Sequence, residues 1–462
     1  METDRKGHNS INKPNRFMNI KHTLLIGMAM SFSACTQNVN NSDIIPGTAD
    51  VASLAGVKTI KIENFENEMY CKYSDLYSDV RYVPLEYTQN SMVGNVHEML
   101  ITKNNDIVIL DYYAKAIFLF DSEGKYKNRI GDAGHAENEY IEPLNMVYDE
   151  YRDNVIVYDN AKKVLAYYDM DGTYLHKIQL KDYIGSFEVL DKDHLVLFYN
   201  YKGEFLKEDD INYNYKIIDN EGKVVKEFAP YDKITGELNM YSDVFYKNKG
   251  ELYCHIQNTP IVNKITLDSM TPVYNIDFGD YQMPNEWYMQ GESVFLEKVE
   301  SLSPNRVVTE EIYQTDSTTF ISFSYRPDED GSCWKYMATI QGNKTDKFRC
   351  FINMFNDMYG KQDAGDVKHV ENGMVYYVLD PTFLKTLSKW PTNVNISKMM
   401  AEESKKALMN AHLGSHDEKI INNTIKIKES KTTSIVITEE EKEFVEKLSK
   451  TSNPIIQICK IK

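Results

Sequence analysis

The sequence contains few cysteines, and their spacing excludes the frameworks that cysteines usually build. Six occur in 462 residues and none belongs to a Cys-x-x-Cys pair, so neither a zinc site nor a redox motif is indicated. Beyond Cys35 the set is odd and scattered, which favours small core residues over a disulfide framework. A single bridge between Cys333 and Cys350 stays open as an alternative. The five are Cys71, Cys254, Cys333, Cys350 and Cys459.

Positive charge is also in short supply. The chain has 52 Lys and Arg residues against 69 Asp and Glu residues. The first 34 residues hold five of the basic residues and two of the acidic ones, so the remainder carries a net charge near −20. A field of that sign repels phosphate backbones. The composition therefore argues against nucleic acid as a partner and suits a neutral or cationic one.

Long apolar runs are missing after the N-terminal leader, so no membrane-spanning helix is predicted in residues 35–462. Residues 1–34 predict a signal peptide, in which Arg16 and Lys21 precede the stretch TLLIGMAMSFSA. Cys35 follows directly, as in a bacterial lipobox, and would carry the lipid chains that anchor the mature protein to a membrane. The alternative is an ordinary secretory signal followed by a chance cysteine. Residues 35–56 are small and polar and predict a flexible tether.

Motifs of common enzyme classes are missing as well. The sequence contains no G-x-S-x-G, H-E-x-x-H or P-loop pattern, and we predict no cofactor and no metal site. The stretch AHLGSHDE at 411–418 has two histidines and two acids, but Gly414 ends any helix between them. The stretch DMDG at 169–172 lacks the downstream Glu of a calcium loop. We interpret both stretches as solvated turns.

The sequence does contain a repeated strand pattern. Residues 107–125 and 155–173 each consist of an apolar run, an Asp, a polar break, a second apolar run and an Asp-x-acid-Gly turn. Turn glycines recur at 124, 172 and 222, which are 48 and 50 residues apart. A period in the forties with four short strands per unit is typical of a β-propeller. The two copies are identical at Asp111/Asp159, Lys115/Lys163, Asp121/Asp169 and Gly124/Gly172.

The apolar runs indicate how these units pack. Residues 107–110 and 155–158 are apolar at every position, whereas a sheet with one side in water alternates apolar and polar residues. A blade that is covered on both faces by its neighbours accounts for the pattern. We therefore predict an all-β, six-bladed β-propeller over residues 57–462.

The regular pattern ends near residue 280, and a propeller must also protect its strand edges. We predict a helical insertion at 281–311 and helical segments at 397–411 and 439–450. The ring is expected to close through terminal strands, with either 57–63 or 80–86 pairing beside 455–461.

Several stretches, taken in order, carry a resemblance to a known family. They are VRYVPLEYTQNSMVGNV (80–96), IVILD (107–111), IFLFDSEGK (117–125), IGDAGHAENEY (130–140), INMFNDMYG (352–360) and NPIIQICKIK (453–462). Their order resembles the bacterial six-bladed β-propeller lipoproteins, which are relatives of the NHL-repeat propellers. The resemblance covers 57–462 and implies the fold and the lipid anchor, but no particular reaction.

One loop departs from the family pattern. Members tend to have a Gly-x-Gly-Pro-Gly-Glu-Tyr turn after the first blade, whereas residues 134–140 retain only its first Gly and its closing Glu139 and Tyr140. We expect this loop to turn a corner, with Asn138 taking the left-handed backbone conformation. The alternative is that Glu139 and Tyr140 contact a ligand.

Propeller sites draw single residues from several blades around the axis. Polar residues on predicted inner strands are therefore candidate binding groups, namely Asn95, His97, Asn145 and Asp243. Trp287, in the predicted insertion, is a candidate for stacking against a sugar. The competing interpretation of each is a solvated channel group or a strand-forming aromatic residue.

These features favour a binding module of the cell envelope, anchored through Cys35 in the outer membrane, with a glycan or an envelope protein as its ligand. The competing hypothesis is a metal-dependent hydrolase, lactonase or lyase with its site at the propeller axis. Regucalcin-type lactonases hold a divalent cation in that place with carboxylates from different blades.

Replacement of the lipobox cysteine tests the predicted anchor. Cys35→Ala is expected to move the protein from membrane fractions to soluble ones, because no other segment is apolar enough to hold it. Immunoblots of fractionated cells measure the distribution, with Thr36→Ala as a control that stays in the membrane. Retention of the Cys35 variant in the membrane would contradict the lipobox.

Overall fold

The structure, a computed structural model, describes residues 56–62, 70–200, 212–231, 244–255, 259–282, 306–326, 334–341, 348–351, 353–358, 367–389, 393–395, 402, 434–436 and 438–462. The predicted signal peptide and Cys35 lie outside these residues, as does the tether apart from Gly56. In the described part of the chain, no helix is both long and apolar enough to cross a membrane.

Six of the eight sheets in the described part of the chain are the blades of a propeller, as predicted, and the other two sheets have two strands each. Three strands precede the first blade, with a short helix before the third. They are β1 (Lys58–Lys61), β2 (Tyr70–Lys72), α1 (Tyr73–Leu76) and β3 (Tyr77–Pro84).

Blades 1 to 3 are consecutive four-stranded meanders that run from an inner strand to an outer one. Blade 1 consists of β4 (Glu98–Ile101), β5 (Ile107–Asp111), β6 (Ala116–Phe120) and β7 (Tyr126–Arg129). Blade 2 consists of β8 (Pro143–Asp149), β9 (Asn154–Asp159), β10 (Val164–Asp169) and β11 (Tyr174–Gln179). Blade 3 consists of β12 (Ser186–Asp191), β13 (His194–Phe198), β14 (Asn212–Asp219) and β15 (Val224–Tyr231).

Blades 4 to 6 include additions to this plan. Blade 4 consists of β16 (Phe245–Asn248), β17 (Glu251–His255), β18 (Ile261–Ile265) and β19 (Met270–Asp277), and a 3₁₀ turn follows at Gly279–Tyr281. Blade 5 consists of β20 (Arg306–Gln314), β21 (Thr318–Arg326), β22 (Trp334–Gln341) and β23 (Phe348–Phe351). Then come β24 (Asn353–Phe355), β25 (Val367–Glu371), β26 (Met374–Leu379), α2 (Pro381–Leu387), β27 (Asn393–Asn395), β28 (Ser434–Val436), α3 (Glu439–Leu448) and β29 (Ile455–Ile461).

The predicted interruptions are described in part. Residues 306–311, at the end of the segment assigned to an insertion, are already strand β20, because their β-branched and polar residues pair with β21. Residues 283–305 lie outside the described residues, and so do 397–411 apart from Glu402. The helix predicted at 439–450 is α3, which begins with a capping box between Thr438 and Glu441.

The ring closes through strands from both termini. Blade 6 is formed by β25, β26, β29 and β3, with β3 as its outer strand, so the pairing of 80–86 with 455–461 is confirmed. The other candidate, 57–63, contains β1, which instead runs parallel to β19 as a fifth strand of blade 4. In the closing blade, Gln457 is fully buried (0 % exposed). Its amide accepts from the Tyr73 hydroxyl at 2.8 Å and donates to the Tyr82 hydroxyl at 3.0 Å.

The hydrophobic core is divided among the spaces between blades. Six clusters of buried residues in the described part of the chain each contain residues from two neighbouring blades, and a seventh lies between blade 6 and the helices α2 and α3. Successive residues of β5 alternate between two of them: Ile107 and Ile109 face blade 6, whereas Val108 and Leu110 face blade 2. This alternation explains why a strand with no polar residue on either face is stable here.

The first pair of identical repeat residues, Asp111 and Asp159, is a pair of clamps. Asp111 is 1 % exposed and accepts backbone N–H groups of Gly94 at 2.8 Å, Asn95 at 3.0 Å and Ala114 at 3.0 Å. Asp159, which is 0 % exposed, does the same for Ile141, Glu142 and Lys162. Each carboxylate therefore links two parts of its blade: the segment just before the inner strand and the turn just after the second strand.

The remaining identical positions shape the turns. Lys115 and Lys163 have φ of 49° and 53°, in the left-handed region. In the outer hairpin of blade 1, Asp121 accepts the N–H groups of Glu123 and Lys125, both at 2.9 Å. The turn glycine that follows has a positive φ, as predicted, and in blade 2 this is Gly172 at 86°.

These turn glycines also allow neighbouring blades to approach each other. A Cβ atom built on Gly172 would collide with the carbonyl oxygen of Arg129 in the outer strand of blade 1. One on Gly222 would lie 2.6 Å from Cγ2 of Ile178 in the outer strand of blade 2. Glycine is therefore needed for two reasons, the backbone conformation and the contact between blades.

His255 occupies in blade 4 the place that Asp111 occupies in blade 1. In blade 1, Asp111 directly follows Leu110, which pairs with the first residue of the inner strand β4. In blade 4, His255 directly follows Cys254, which pairs with the first residue of the inner strand β16. His255 is 2 % exposed, and its Nε2 lies 2.8 Å from the carbonyl oxygen of Thr259. Burial lowers the pKa of His255 to about 4, so the folded protein holds a neutral imidazole at neutral pH.

Alanine substitutions at two glycines distinguish the cost of the left-handed backbone from the cost of the clash between blades. Gly172→Ala should lower the free energy of unfolding by about 3 kcal/mol, because it combines left-handed strain with a clash between blades. Gly250→Ala is the matched control: its φ is 74° and nothing lies within 4 Å of an added Cβ. It should cost about 1 kcal/mol. Equal losses in urea unfolding would refute the proposed contact between blades.

The stability of the protein should depend on pH through His255. Its folded pKa lies below the unfolded value, so the unfolded chain takes up the proton first and stability falls as pH drops below about 6.5. Between pH 7 and pH 5 this group should account for about 2 kcal/mol of lost stability. His255→Gln, which keeps a donor for Thr259, should remove that part of the loss. An unchanged pH dependence of the variant in urea unfolding would contradict this assignment.

Candidate functional site on the upper face

The two ends of the propeller differ in their connections. At one end, here called the upper face, lie the starts of the inner strands and the turns after each second strand. At the other end, the lower face, lie the hairpins that join the first and second strands, such as residues 149–154 between β8 and β9. The connection that carries α2 and α3 leaves the second strand of blade 6 and so belongs to the upper face. The upper face therefore holds the most elaborate connections.

Three aromatic rings meet on the upper face of blade 1. His97 and Tyr112 have ring centroids 5.4 Å apart, and Tyr112 and Tyr113 have centroids 5.5 Å apart with planes at 76°. We call His97, Tyr112 and Tyr113 the aromatic platform. Tyr113 is 81 % exposed, the largest value among the exposed large apolar side chains of the described residues. An aromatic face open to solvent beside polar groups is a surface for ligand contact.

Glu142 fixes the platform to blade 2. Its Oε1 accepts the Tyr112 hydroxyl at 3.0 Å, and its Oε2 accepts the side-chain amide of Asn160 at 2.9 Å. The Asn160 oxygen in turn accepts the Tyr158 hydroxyl at 3.1 Å. The hydrogen bond to Glu142 raises the pKa of Tyr112, so this hydroxyl stays protonated. The orientation of the Tyr112 ring is therefore set by a chain of hydrogen bonds that crosses from one blade to the next.

The polar groups near the axis are bonded to one another. Glu98 accepts the side-chain amide of Asn145 at 2.6 Å and the backbone N–H of Met146 at 2.7 Å. Farther round the ring, Lys247 lies 3.0 Å from Glu188. Burial alone would lower the pKa of Lys247, but the Glu188 carboxylate outweighs it and raises that pKa. Carboxylates near the axis therefore link blade 1 to blade 2 and blade 3 to blade 4.

The residues predicted to bind ligand have different surroundings. Asn95 and His97 are exposed on the upper face, as their prediction requires. Asn145 is half-buried, its amide nitrogen donates to Glu98 at 2.6 Å, and its Oδ1 is buried. Asp243 and Trp287 lie outside the described residues.

The loop at 134–140 turns a corner, as expected, but by other means. Tyr140 is 1 % exposed and packs edge to face on Tyr168, so a ligand contact by this ring is ruled out. Glu139 accepts the N–H of Ala136 at 2.9 Å within the loop. Asn138 does not have a positive φ, so that expectation was wrong. Gly131, just before the loop, has a φ of 64°, and the loop is closed by hydrogen bonds from Gly134 N–H to the Tyr140 carbonyl and from Tyr140 N–H to the Asp132 carbonyl.

Sequence reasoning missed Tyr112, Tyr113 and Glu142. The first copy of the repeat reads Asp111-Tyr-Tyr-Ala-Lys115 where the second reads Asp159-Asn-Ala-Lys-Lys163. Two tyrosines at a turn, where the second copy has Asn and Ala, were the available signal. Their position on the upper face depends on the strand order, which the sequence alone does not supply.

The described residues contain no group of three His, Cys, Asp or Glu side chains placed to hold a metal ion. The cysteines whose state is described, Cys71, Cys254 and Cys459, are buried, in agreement with their interpretation as core residues. Burial raises the pKa of Cys254 to about 12, so it is not a reactive thiolate.

One of the similar solved structures shows the same fold. A Bacteroides fragilis protein named as a candidate exported protein is similar to this chain with a TM-score of 0.56 and 14 % identity, over 88 % of this chain and 99 % of that one. A member of the duf4221 family from Bacteroides vulgatus has a TM-score of 0.43 and 12 % identity, over 66 % and 92 %. Virginiamycin B lyase from Staphylococcus aureus has a TM-score of 0.34 and 8 % identity, over 59 % and 88 %. The first shows the fold alone, and the other two are too distant to indicate more.

A comparison with curated proteins gives no match. Residues 57–412, which form most of the chain and include the aromatic platform, match the model of a family described as a domain of unknown function. The chain is thus a six-bladed β-propeller that belongs to the DUF4934 family.

Proposed function

We propose that this protein is a binding module of the cell envelope and that its upper face contacts a glycan through the aromatic platform. The observation that carries the proposal is the exposure of Tyr113, 81 %, beside two further rings and a network of polar groups. Exposed aromatic rings with fixed polar neighbours suit sugars, because a sugar has apolar C–H faces and hydroxyl edges. An envelope protein is the second candidate ligand, since tyrosines are also frequent in protein interfaces.

A metal-dependent hydrolase, lactonase or lyase has less support. Such an enzyme would need carboxylates that converge on the axis with oxygens available to a cation. Glu98 is bonded to Asn145 and Met146, and Glu188 is paired with Lys247. These contacts give the axial carboxylates a function in joining blades. The upper face therefore remains the stronger candidate.

The location in the envelope rests on two observations. The leader with its lipobox predicts export and lipidation at Cys35, and the similar Bacteroides fragilis protein is named as a candidate exported protein. An anchored propeller holds a ready-made binding face close to a membrane without crossing it. We propose the outer membrane as the site of the anchor, in keeping with the bacterial propeller lipoproteins that the sequence resembles.

Substitution of the exposed tyrosine tests the proposed contact. The purified full chain should bind a subset of oligosaccharides on a glycan array, and Tyr113→Ala should weaken that binding about tenfold, or about 1.4 kcal/mol, through the loss of stacking. Tyr151→Ala is the matched control. Tyr151 is 54 % exposed and lies on a lower-face hairpin, so its loss should leave affinity unchanged.

Two outcomes would count against the proposal. Equal affinities of the Tyr113 variant and the parent would move the contact away from the platform. A stoichiometric metal ion in the purified protein, lost on Glu188→Gln, would favour the enzyme instead.

A further inference from the structure

Asn95 is a hydrogen-bonding group held in place beside the aromatic platform. Its side chain is exposed, while its backbone N–H donates to Asp111 at 3.0 Å. Asp111 also accepts the N–H of Ala114 at 3.0 Å, in the turn that carries Tyr112 and Tyr113. One buried carboxylate thus fixes the two backbone segments from which the Asn95 amide and the tyrosine rings project. Fixed backbone at a binding site reduces the entropy that is lost when a ligand binds.

An internal comparison indicates the direction in which this position acts. Glu142 and Asn95 occupy equivalent positions in blades 2 and 1. The backbone N–H of Glu142 donates to Asp159 at 3.1 Å, as that of Asn95 donates to Asp111. The Glu142 side chain reaches the neighbouring turn of blade 1, where it accepts the Tyr112 hydroxyl. In blade 2, the second residue held by the clamp therefore makes a contact across the upper face. In blade 1 the same position holds an exposed amide.

The chemistry of an amide matches the edge of a sugar. Its oxygen accepts one hydroxyl and its nitrogen donates to another, so two adjacent hydroxyls are satisfied together. The ring of Tyr113 supports the apolar face of the same sugar residue. One amide and one open ring would together contact both the hydroxyl edge and the apolar face of a single sugar unit.

The charges around the platform disfavour anionic sugars. Glu98 directly follows His97 in the chain, and a Glu142 oxygen lies 3.0 Å from the Tyr112 hydroxyl. Lys115, in the same turn as Tyr112, supplies one positive charge against these carboxylates. The whole chain has a formal net charge of −17. A carboxylate or sulfate group on the ligand would therefore approach against a negative field.

We infer that the aromatic platform takes an uncharged sugar residue, which the Asn95 amide binds through adjacent hydroxyls and the Tyr113 ring supports from below. Glu142 holds the Tyr112 ring and also repels anionic sugars. This inference rests on the proposed function and specifies the class of ligand and the residues that select it.

The test uses the full chain and a glycan array that pairs each neutral oligosaccharide with its uronic-acid counterpart. Neutral ligands should bind about tenfold more tightly than their acidic counterparts at low salt, and the difference should shrink as salt screens the charges. Asn95→Ala should weaken neutral binding about tenfold. Glu142→Gln keeps an oxygen for the Tyr112 hydroxyl and removes the charge, so the preference for the neutral ligand over its acidic counterpart should shrink.

The outcomes separate this inference from the proposed function. Preference for acidic ligands, or full affinity in Asn95→Ala, would overturn the uncharged-sugar assignment while a Tyr113-dependent contact stands. A blank array together with Tyr113-dependent capture of a purified envelope protein would also overturn it. Binding of neutral sugars that is indifferent to Tyr113→Ala would instead defeat the proposed contact surface.

Discussion

Every blade of this protein is apolar on both faces, and only another blade can cover them. Strand β5 sends alternate side chains into two different clusters, one shared with blade 6 and one with blade 2. Burial of apolar area stabilises a fold by about 25 cal/mol per Å², and here this area is buried only where two neighbouring blades meet. An unclosed row would leave two blades half-covered and expose strand edges. Closure of the ring through β3 and β29 is therefore a condition of stability.

Closure leaves the loops of the upper face to carry function. The buried clamps Asp111 and Asp159 fix the turns of blades 1 and 2 in the same way, and the residues beside them differ. Next to one clamp lie Asn95 and the exposed Tyr113, whereas next to the other Glu142 and Asn160 bond to each other. Because the clamping carboxylate is the same and the residues beside it differ, blades 1 and 2 have the same backbone arrangement and different side chains on the upper face.

The fold could be predicted from the sequence because its signals are local. Apolar runs, a period of 48 residues and Asp-x-acid-Gly turns are visible without coordinates. The site could be predicted only in part. Asn95 and His97 were recognised as polar residues at the start of an inner strand, but Asn145 looks the same in sequence and is bonded to Glu98. Partners of this kind come from a neighbouring blade 47 residues away, which a linear pattern does not reveal.

Cross-linking of the closing blade tests the closed ring most directly. Val80 in β3 lies opposite Cys459 in β29, and both side chains belong to the cluster shared by blades 5 and 6. Directly opposed residues of antiparallel strands are close enough for a disulfide. Val80→Cys should therefore form an intramolecular bridge to Cys459 on mild oxidation and raise the urea midpoint. Asp79→Cys, one residue away and opposite Lys460, should not form it. A chain that forms no bridge at position 80, or forms it equally at position 79, would contradict the closed six-bladed ring.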